Sequence, residues 1–84
     1  MSDQDVYRLY LRDLGYIFKE NAKKAREDLR NEPDPEKRAF REGFVMAYYD
    51  VVTIMQLQTI GFFQVSYSDL GFDDFDPDRD VLGM

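Results

Sequence analysis

The chain of 84 residues contains neither cysteine nor histidine. Without cysteine it forms no disulfide, offers no thiolate ligand to zinc and has no thiol nucleophile. Without histidine it lacks the commonest general base, pH switch and transition-metal ligand of proteins. Catalysis would depend on Asp, Glu, Lys, Tyr or Ser side chains, and the sequence contains no recognisable catalytic motif built from them. We therefore predict a protein that is not an enzyme and that uses no metal or other cofactor.

Basic residues are scarce near the C-terminal end. The net charge is −6, and residues 61–84 contain Arg79 as their single basic residue against six aspartates. Residues 1–60, in contrast, carry ten basic and eleven acidic groups. Binding to DNA or RNA is driven largely by a basic surface that releases counterions from the phosphates. We therefore expect no direct binding to nucleic acid.

We also expect neither a membrane-spanning segment nor a secretory leader in this sequence. The first ten residues have neither the basic start nor the uninterrupted apolar run of a secretory leader. Residues 44–63 approach the length of a transmembrane helix, but Asp50 lies near their centre. An aspartate at mid-bilayer costs about 3 kcal/mol on insertion scales. We expect a cytoplasmic protein that does not associate with membranes.

Two long helices are predicted instead. The first runs from about Asp3 to Arg30 with Ser2 as its N-cap, and the second from about Pro35 to Ile60, closed by Gly61. The break between them is indicated by Pro33, and Asp34 followed by Pro35 supplies an N-cap and a favoured first-turn residue. Apolar residues recur at helical spacing in the first helix, and charged residues lie opposite them. The charged side comprises Arg8, Arg12, Lys19, Lys23, Arg26 and Glu27.

Helices of similar length joined by about four residues are expected to fold into an antiparallel hairpin. In that hairpin, residues whose numbers add to about 65 should face each other. This register places Ala22 opposite Gly43 and Phe18 opposite Ala47, so that large side chains meet small ones. It assigns the side of helix two that carries Phe44, Ala47 and Val51 to contact with helix one.

The second helix is apolar on more of its circumference than one partner helix covers. We therefore predict an all-α fold in which two hairpins dimerise into a four-helix bundle. The rival prediction is a monomer whose C-terminal tail folds over the exposed face. The hairpin is assigned to residues 1–63 and the acidic tail, packed on it or extending from it, to residues 64–84. The predicted dimer interface comprises Val45, Tyr49, Val52 and Gln56.

The tail is the strongest candidate for a functional surface, because it combines acidic groups with aromatic anchors. Asp74, Asp76 and Asp78 match the first ligands of a calcium-binding EF-hand loop, but Arg79 replaces the required glycine. The simplest alternative is that the two Phe rings pin the tail to the helices while the aspartates stay solvated. Asp50 is expected on the solvated edge of helix two. The predicted partner-binding set comprises Phe72, Asp73, Asp74, Phe75, Asp76 and Asp78.

These observations favour a non-enzymatic interaction module, an adaptor or inhibitor, that presents its acidic C-terminal surface to a basic protein. A more specific version is a mimic of nucleic acid that occupies the binding groove of its target. Two alternatives stay open. One is a helical bundle that binds a small ligand or a metal, and the other is a structural subunit of a larger assembly.

Overall fold

The computed structural model describes residues 2–59 and 66–83, and these residues form helices and turns with no strand among them. Helix α1 spans Asp3–Arg30 and α2 spans Pro35–Gln58. A 3₁₀ turn, Ser68–Leu70, and a short helix α3, Pro77–Asp80, follow in the tail. The predicted all-α class and the packing of two long helices are confirmed. The predicted closure of the second helix at Ile60 and Gly61 lies outside the described residues.

Both long helices begin with the caps expected from their sequences. The Ser2 hydroxyl accepts a hydrogen bond from the Asp5 backbone N–H, 3.2 Å away, and the Asp5 carboxylate accepts one from the Ser2 N–H. At the start of α2 the Asp34 carboxylate accepts from the Glu36 N–H at 2.9 Å, with Pro35 in the first turn. These bonds satisfy backbone donors that a helix leaves free at its N-terminus, so the helix starts are determined locally.

The turn of the hairpin is tied by two arginines of α2. Arg38 donates to the carbonyl oxygens of Leu29 and Glu32, at 3.1 and 2.9 Å. Arg41 donates from Nε to the Glu32 carboxylate at 2.8 Å, and this contact lowers the pKa of Glu32. Arg41 also lies 3.7 Å from the Asp28 carboxylate. Arg41 and Lys24, which face each other in the predicted register, line the same surface cleft.

The core is shared between the hairpin and the tail. In α1 and in α2 the buried positions repeat every seven residues, as helix pairing requires. The tail supplies the other half of the buried apolar residues, so folding the tail onto the helices is part of forming the core. The buried apolar residues are Ala22 and Leu29 from α1, Val45 and Val52 from α2, and Leu70, Phe72, Phe75 and Val81 from the tail.

The side of α2 that faces inward differs from the prediction. Phe44, Ala47 and Val51 were assigned to contact with helix one, but Phe44 and Ala47 are exposed and Val51 is half-buried. Val45 and Val52 are buried instead. Gly43 was expected to allow close approach near Ala22. Among the described residues, however, no atom beyond its own helix backbone and chain neighbours lies within 4 Å of a Cβ built on it. The predicted pairing is therefore wrong. Because α2 is apolar on more than one side, its sequence allows several orientations, and the tail decides between them.

None of the helices within residues 2–59 and 66–83 is both long enough and apolar enough to cross a membrane.

Candidate functional surfaces

The acidic turn, residues 73–78, is held on the hairpin by the two aromatic residues that flank and interrupt its aspartates. Phe72 is fully buried and Phe75 is 5% exposed, and their rings pack edge to face at 5.2 Å. Tyr67 packs edge to face on Phe72 at 5.7 Å. Both Phe residues were predicted as anchors for a partner, with the alternative that they pin the tail to the helices. The structure places them in the core of their own chain, so the rings are not available to a partner while the tail is docked.

The four aspartates of this turn differ in their contacts. Asp73 and Asp74 are exposed, and Asp74 adopts the left-handed backbone conformation with φ 59°. Asp76 caps α3, because its Oδ1 accepts from the backbone N–H groups of Asp78 and Arg79 at 3.0 and 3.5 Å. Asp78 accepts a hydrogen bond from the hydroxyl of Tyr49 in α2. Asp73 Oδ2 accepts from the Ser68 hydroxyl at 3.4 Å. Three of the predicted partner-binding carboxylates thus have side-chain contacts within the chain, and all four are exposed to solvent.

Asp80 and Arg79 close the acidic turn. Asp80 accepts from Arg79 Nε at 2.8 Å and from the Asp76 backbone N–H at 3.0 Å. The bonds from Arg79 and Asp76 hold the pKa of Asp80 at about 2, below the ordinary value of 3.8. Arg79 also donates to the Asp74 carbonyl oxygen at 2.9 Å. A single arginine therefore links both ends of the turn and fixes the backbone that carries its carboxylates.

A hydrogen bond between α2 and the tail ties down part of the predicted dimer interface. The Tyr49 hydroxyl donates to Asp78 Oδ1 at 2.6 Å, and that contact raises the pKa of Tyr49. Tyr49 and Gln56 are half-buried, whereas Val45 and Val52 lie in the core beneath the tail. With the tail docked, the two valines are unavailable to a second subunit. The side of α2 that carries Val45 and Val52, which was predicted to pack against a second subunit, packs against the tail of the same chain.

The tail also lies against the basic side of α1. Lys19 Nζ donates to the Gly71 carbonyl oxygen at 3.0 Å. The pKa of Asp69 is lowered, first by the hydrogen bond from the Ser66 backbone N–H and further by the charges of Arg8 and Arg12. The acidic tail thus has basic neighbours within its own chain. Sequence reasoning identified the charged side of the first helix but did not pair it with the tail, although their opposite charges were a usable signal.

On the face of the hairpin away from the tail lies a second apolar surface. It is formed by five residues of α2, spaced alternately four and three apart, that we term the outer seam: Phe40, Phe44, Ala47, Val51 and Ile54. Phe40 is 69% exposed, Ile54 is 58% exposed, and the Phe40 and Phe44 rings pack edge to face at 5.0 Å. An open groove of about 380 Å³ runs beside them, lined by Ala39, Phe40, Gly43, Phe44 and Ala47.

Asp50 lies on the exposed surface of α2, on the solvated edge where the sequence placed it. In residues 2–59 and 66–83, no three acidic side chains are grouped closely enough to hold a metal ion. A surface cleft of about 410 Å³ lies between α1 and the tail and is lined by Arg12, Tyr16, Lys19, Gly71 and neighbouring residues.

Comparisons of this chain with models of protein families, with characterised proteins and with solved structures gave no match.

Proposed function

We propose that this protein is a non-enzymatic interaction module, an adaptor or inhibitor, that presents its acidic turn to a basic protein. The observation that carries the proposal is the fixed placement of exposed Asp73 and Asp74 above the buried rings of Phe72 and Phe75. A surface that is already ordered loses less conformational entropy on binding than a flexible acidic segment would. Charge of one sign steers a basic partner during encounter and disfavours acidic competitors.

The contacts within the tail refine which residues take part. Because Phe72 and Phe75 are core residues, the proposed binding surface consists of carboxylates rather than of aromatic anchors. Asp76 and Asp78 hold the turn in shape through α3 and Tyr49, and both still contribute exposed negative charge. Asp73 and Asp74 are therefore the residues proposed to meet basic side chains of the partner. Mimicry of nucleic acid is the narrower form of the same proposal.

The test is a double substitution, Asp73→Asn with Asp74→Asn. It removes two charges and keeps side-chain size, and asparagine tolerates the left-handed conformation at position 74. A matched control, Glu42→Gln with Asp50→Asn, removes two exposed charges from α2. Proteins captured from lysate at low salt are identified by mass spectrometry, and binding is repeated with the purified partner.

We expect the native chain and the control to capture the same basic protein, with binding weakened about tenfold or more in the tail variant. Equal binding by all three chains would overturn the acidic turn as the binding surface. A captured partner without a basic surface would overturn the charge argument itself.

We also propose that the module functions as a homodimer, as the sequence suggested, and that the two hairpins together form a four-helix bundle. Burial of Val45 and Val52 under the tail moves the proposed interface to another face of α2. The observation that favours a dimer is the outer seam, which leaves large apolar side chains exposed on a short chain.

A further inference from the structure

Extending the homodimer of the proposed function, we propose that the outer seam is a self-complementary interface. In it, α2 of one chain crosses α2 of a second copy in antiparallel orientation, with Ala47 at the two-fold axis. The acidic turn takes no part in this contact, so the two surfaces are tested separately.

The spacing of the outer seam is the first argument. Positions 40, 44, 47, 51 and 54 alternate steps of four and three, the repeat that keeps an apolar stripe facing a partner helix. The buried stripe of α2, which contains Val45 and Val52, already faces α1 and the tail. Helix α2 therefore has two such stripes, and the contacts within its own chain cover one of them.

The order of side-chain sizes along the seam is the second argument, and it favours a second copy over an unrelated protein. Ala47 lies at the midpoint, so an antiparallel copy overlaps the whole seam when the two alanines meet. Phe40 then faces Ile54 of the second copy, and Phe44 faces Val51. An isologous contact requires this reciprocity: if residue i of one copy contacts residue j of the other, residue j of the first contacts residue i of the second.

The groove beside the seam is the third argument. Its floor is formed by Ala39, Gly43 and Ala47, which are small residues, and Phe40 and Phe44 line it as well. In the described part of the chain, no atom beyond the local backbone of α2 and the two neighbouring residues lies within 4 Å of the place where a Gly43 Cβ would be. Small residues let two helices approach closely, and a large side chain from the facing helix fills the space they leave. In the proposed register the side chains that face the groove are Val51 of the second copy, opposite Gly43, and Ile54, opposite Phe40.

The exposed area is the fourth argument. Tyr10, Ile17 and Asn21 lie on one stripe of α1. Asn21 and Phe44 line the same surface cleft, so this stripe flanks the outer seam. Tyr10 is 67% exposed and Ile17 is 46% exposed. With aromatic side chains contributing about 150–250 Å² each when fully exposed, the face offers on the order of 600 Å² per chain. About 1,200 Å² in total reaches the lower range of specific interfaces, so we expect micromolar affinity.

The first experiment is sedimentation velocity from low micromolar to near-millimolar concentration, on the native chain, Ala47→Glu and Gln4→Glu. Ala47→Glu places a charge at the proposed two-fold axis, and Gln4→Glu adds the same charge at another exposed helical site. We expect the native chain and Gln4→Glu to dimerise and Ala47→Glu to stay monomeric with unchanged circular dichroism. A native chain that is monomeric throughout, or a dimer that survives in Ala47→Glu, would overturn the proposal.

The second experiment tests the orientation and does not depend on how Ala47→Glu folds. Because the native chain has no cysteine, Ala47→Cys introduces a single thiol, and so does the control Glu27→Cys on α1. The two-fold axis brings the position-47 thiols of two copies within disulfide reach, which requires Cα atoms roughly 4.4–6.8 Å apart. We expect rapid oxidation of Ala47→Cys to a covalent dimer and much slower oxidation of the control. Equal rates would overturn the antiparallel contact centred on Ala47.

Discussion

At the scale of single residues, Gly15 decides how closely the tail approaches the hairpin. A side chain built on Gly15 would overlap the carbonyl oxygen of Leu70, a backbone atom that cannot move without displacing the 3₁₀ turn. Gly43 has the opposite surroundings, because a side chain there would enter open space. A glycine inside a helix costs about 1 kcal/mol relative to alanine. At Gly15 the missing side chain lets the tail dock, and that contact offsets the cost. At Gly43 no such contact is found among the described residues.

The two glycines therefore give opposite predictions for the same substitution. Gly15→Ala should lower the free energy of unfolding by about 1–3 kcal/mol, because the added methyl group forces the tail away. Gly43→Ala should raise the free energy of unfolding by about 1 kcal/mol through helix propensity. Urea titrations at a protein concentration at which sedimentation shows a monomer measure both. A Gly15→Ala chain as stable as the native one would show that the tail does not lie on α1 at this point.

At the scale of elements, the tail completes the core and is more than an attached acidic segment. Phe72 and Val81 have no exposed surface, and they pack with residues of both long helices. The sequence predicted the helices and their starts correctly because caps and breaks depend on a few neighbouring residues. Docking of the tail on the exposed face was the rival prediction and not the preferred one, because isolated hydrophobic residues among turns carry no periodic signal that indicates which helix face they cover.

Phe72→Ala should accordingly destabilise the fold by about 3–5 kcal/mol, the usual cost of removing a fully buried phenylalanine. The matched control is Phe40→Ala, which removes the same ring from the exposed outer seam. At a concentration where the chain is monomeric, Phe40→Ala should change the free energy of unfolding by no more than about 0.5 kcal/mol. Loss of the ring contact with Phe44 would add to this change. Chemical denaturation followed by circular dichroism measures both. Similar small effects in the two variants would contradict the docked position of the tail.

At the scale of the whole molecule, charges that are segregated in the sequence are brought together by folding. The six aspartates of the tail lie in a structure whose α1 carries a basic side, and Lys19, Arg8 and Arg12 act on the docked tail. Asp80 is held by Arg79 within the tail, and the more distant charge of Lys23 acts in the same direction. The net charge is unchanged, but the folded state favours ionised carboxylates at these positions.

This preference predicts a loss of stability in acid. The folded chain holds the pKa of Asp80 at about 2 against an ordinary value of 3.8, and it also lowers the pKa values of Asp69 and Glu32. A carboxyl group whose pKa is lowered in the folded chain contributes its full stabilisation at pH values above its ordinary pKa. For Asp80 that contribution should be lost as the pH falls from about 4 to about 2.

Urea titrations across this pH range on the native chain and on Asp80→Asn measure that contribution. The variant should be less stable than the native chain at neutral pH, and the difference should disappear near pH 2. Asp50→Asn, which removes one exposed carboxylate outside the tail, serves as the control. A stability difference between the native chain and Asp80→Asn that is the same at every pH would contradict the role of the ionised carboxylate.

The sequence by itself determined the all-α class, the two long helices, their N-terminal caps at Ser2 and Asp34, and the hairpin. These features depend on interactions between residues close together in the chain, and such interactions are the same in any tertiary context. Only the tertiary structure decided which side of α2 faces inward. Several orientations of α2 bury apolar surface against α1, and the docking of Leu70, Phe72, Phe75 and Val81 favours the one that buries Val45 and Val52. The same choice leaves four of the five outer-seam residues exposed, with Val51 half-buried, and places the acidic turn beside the basic side of α1.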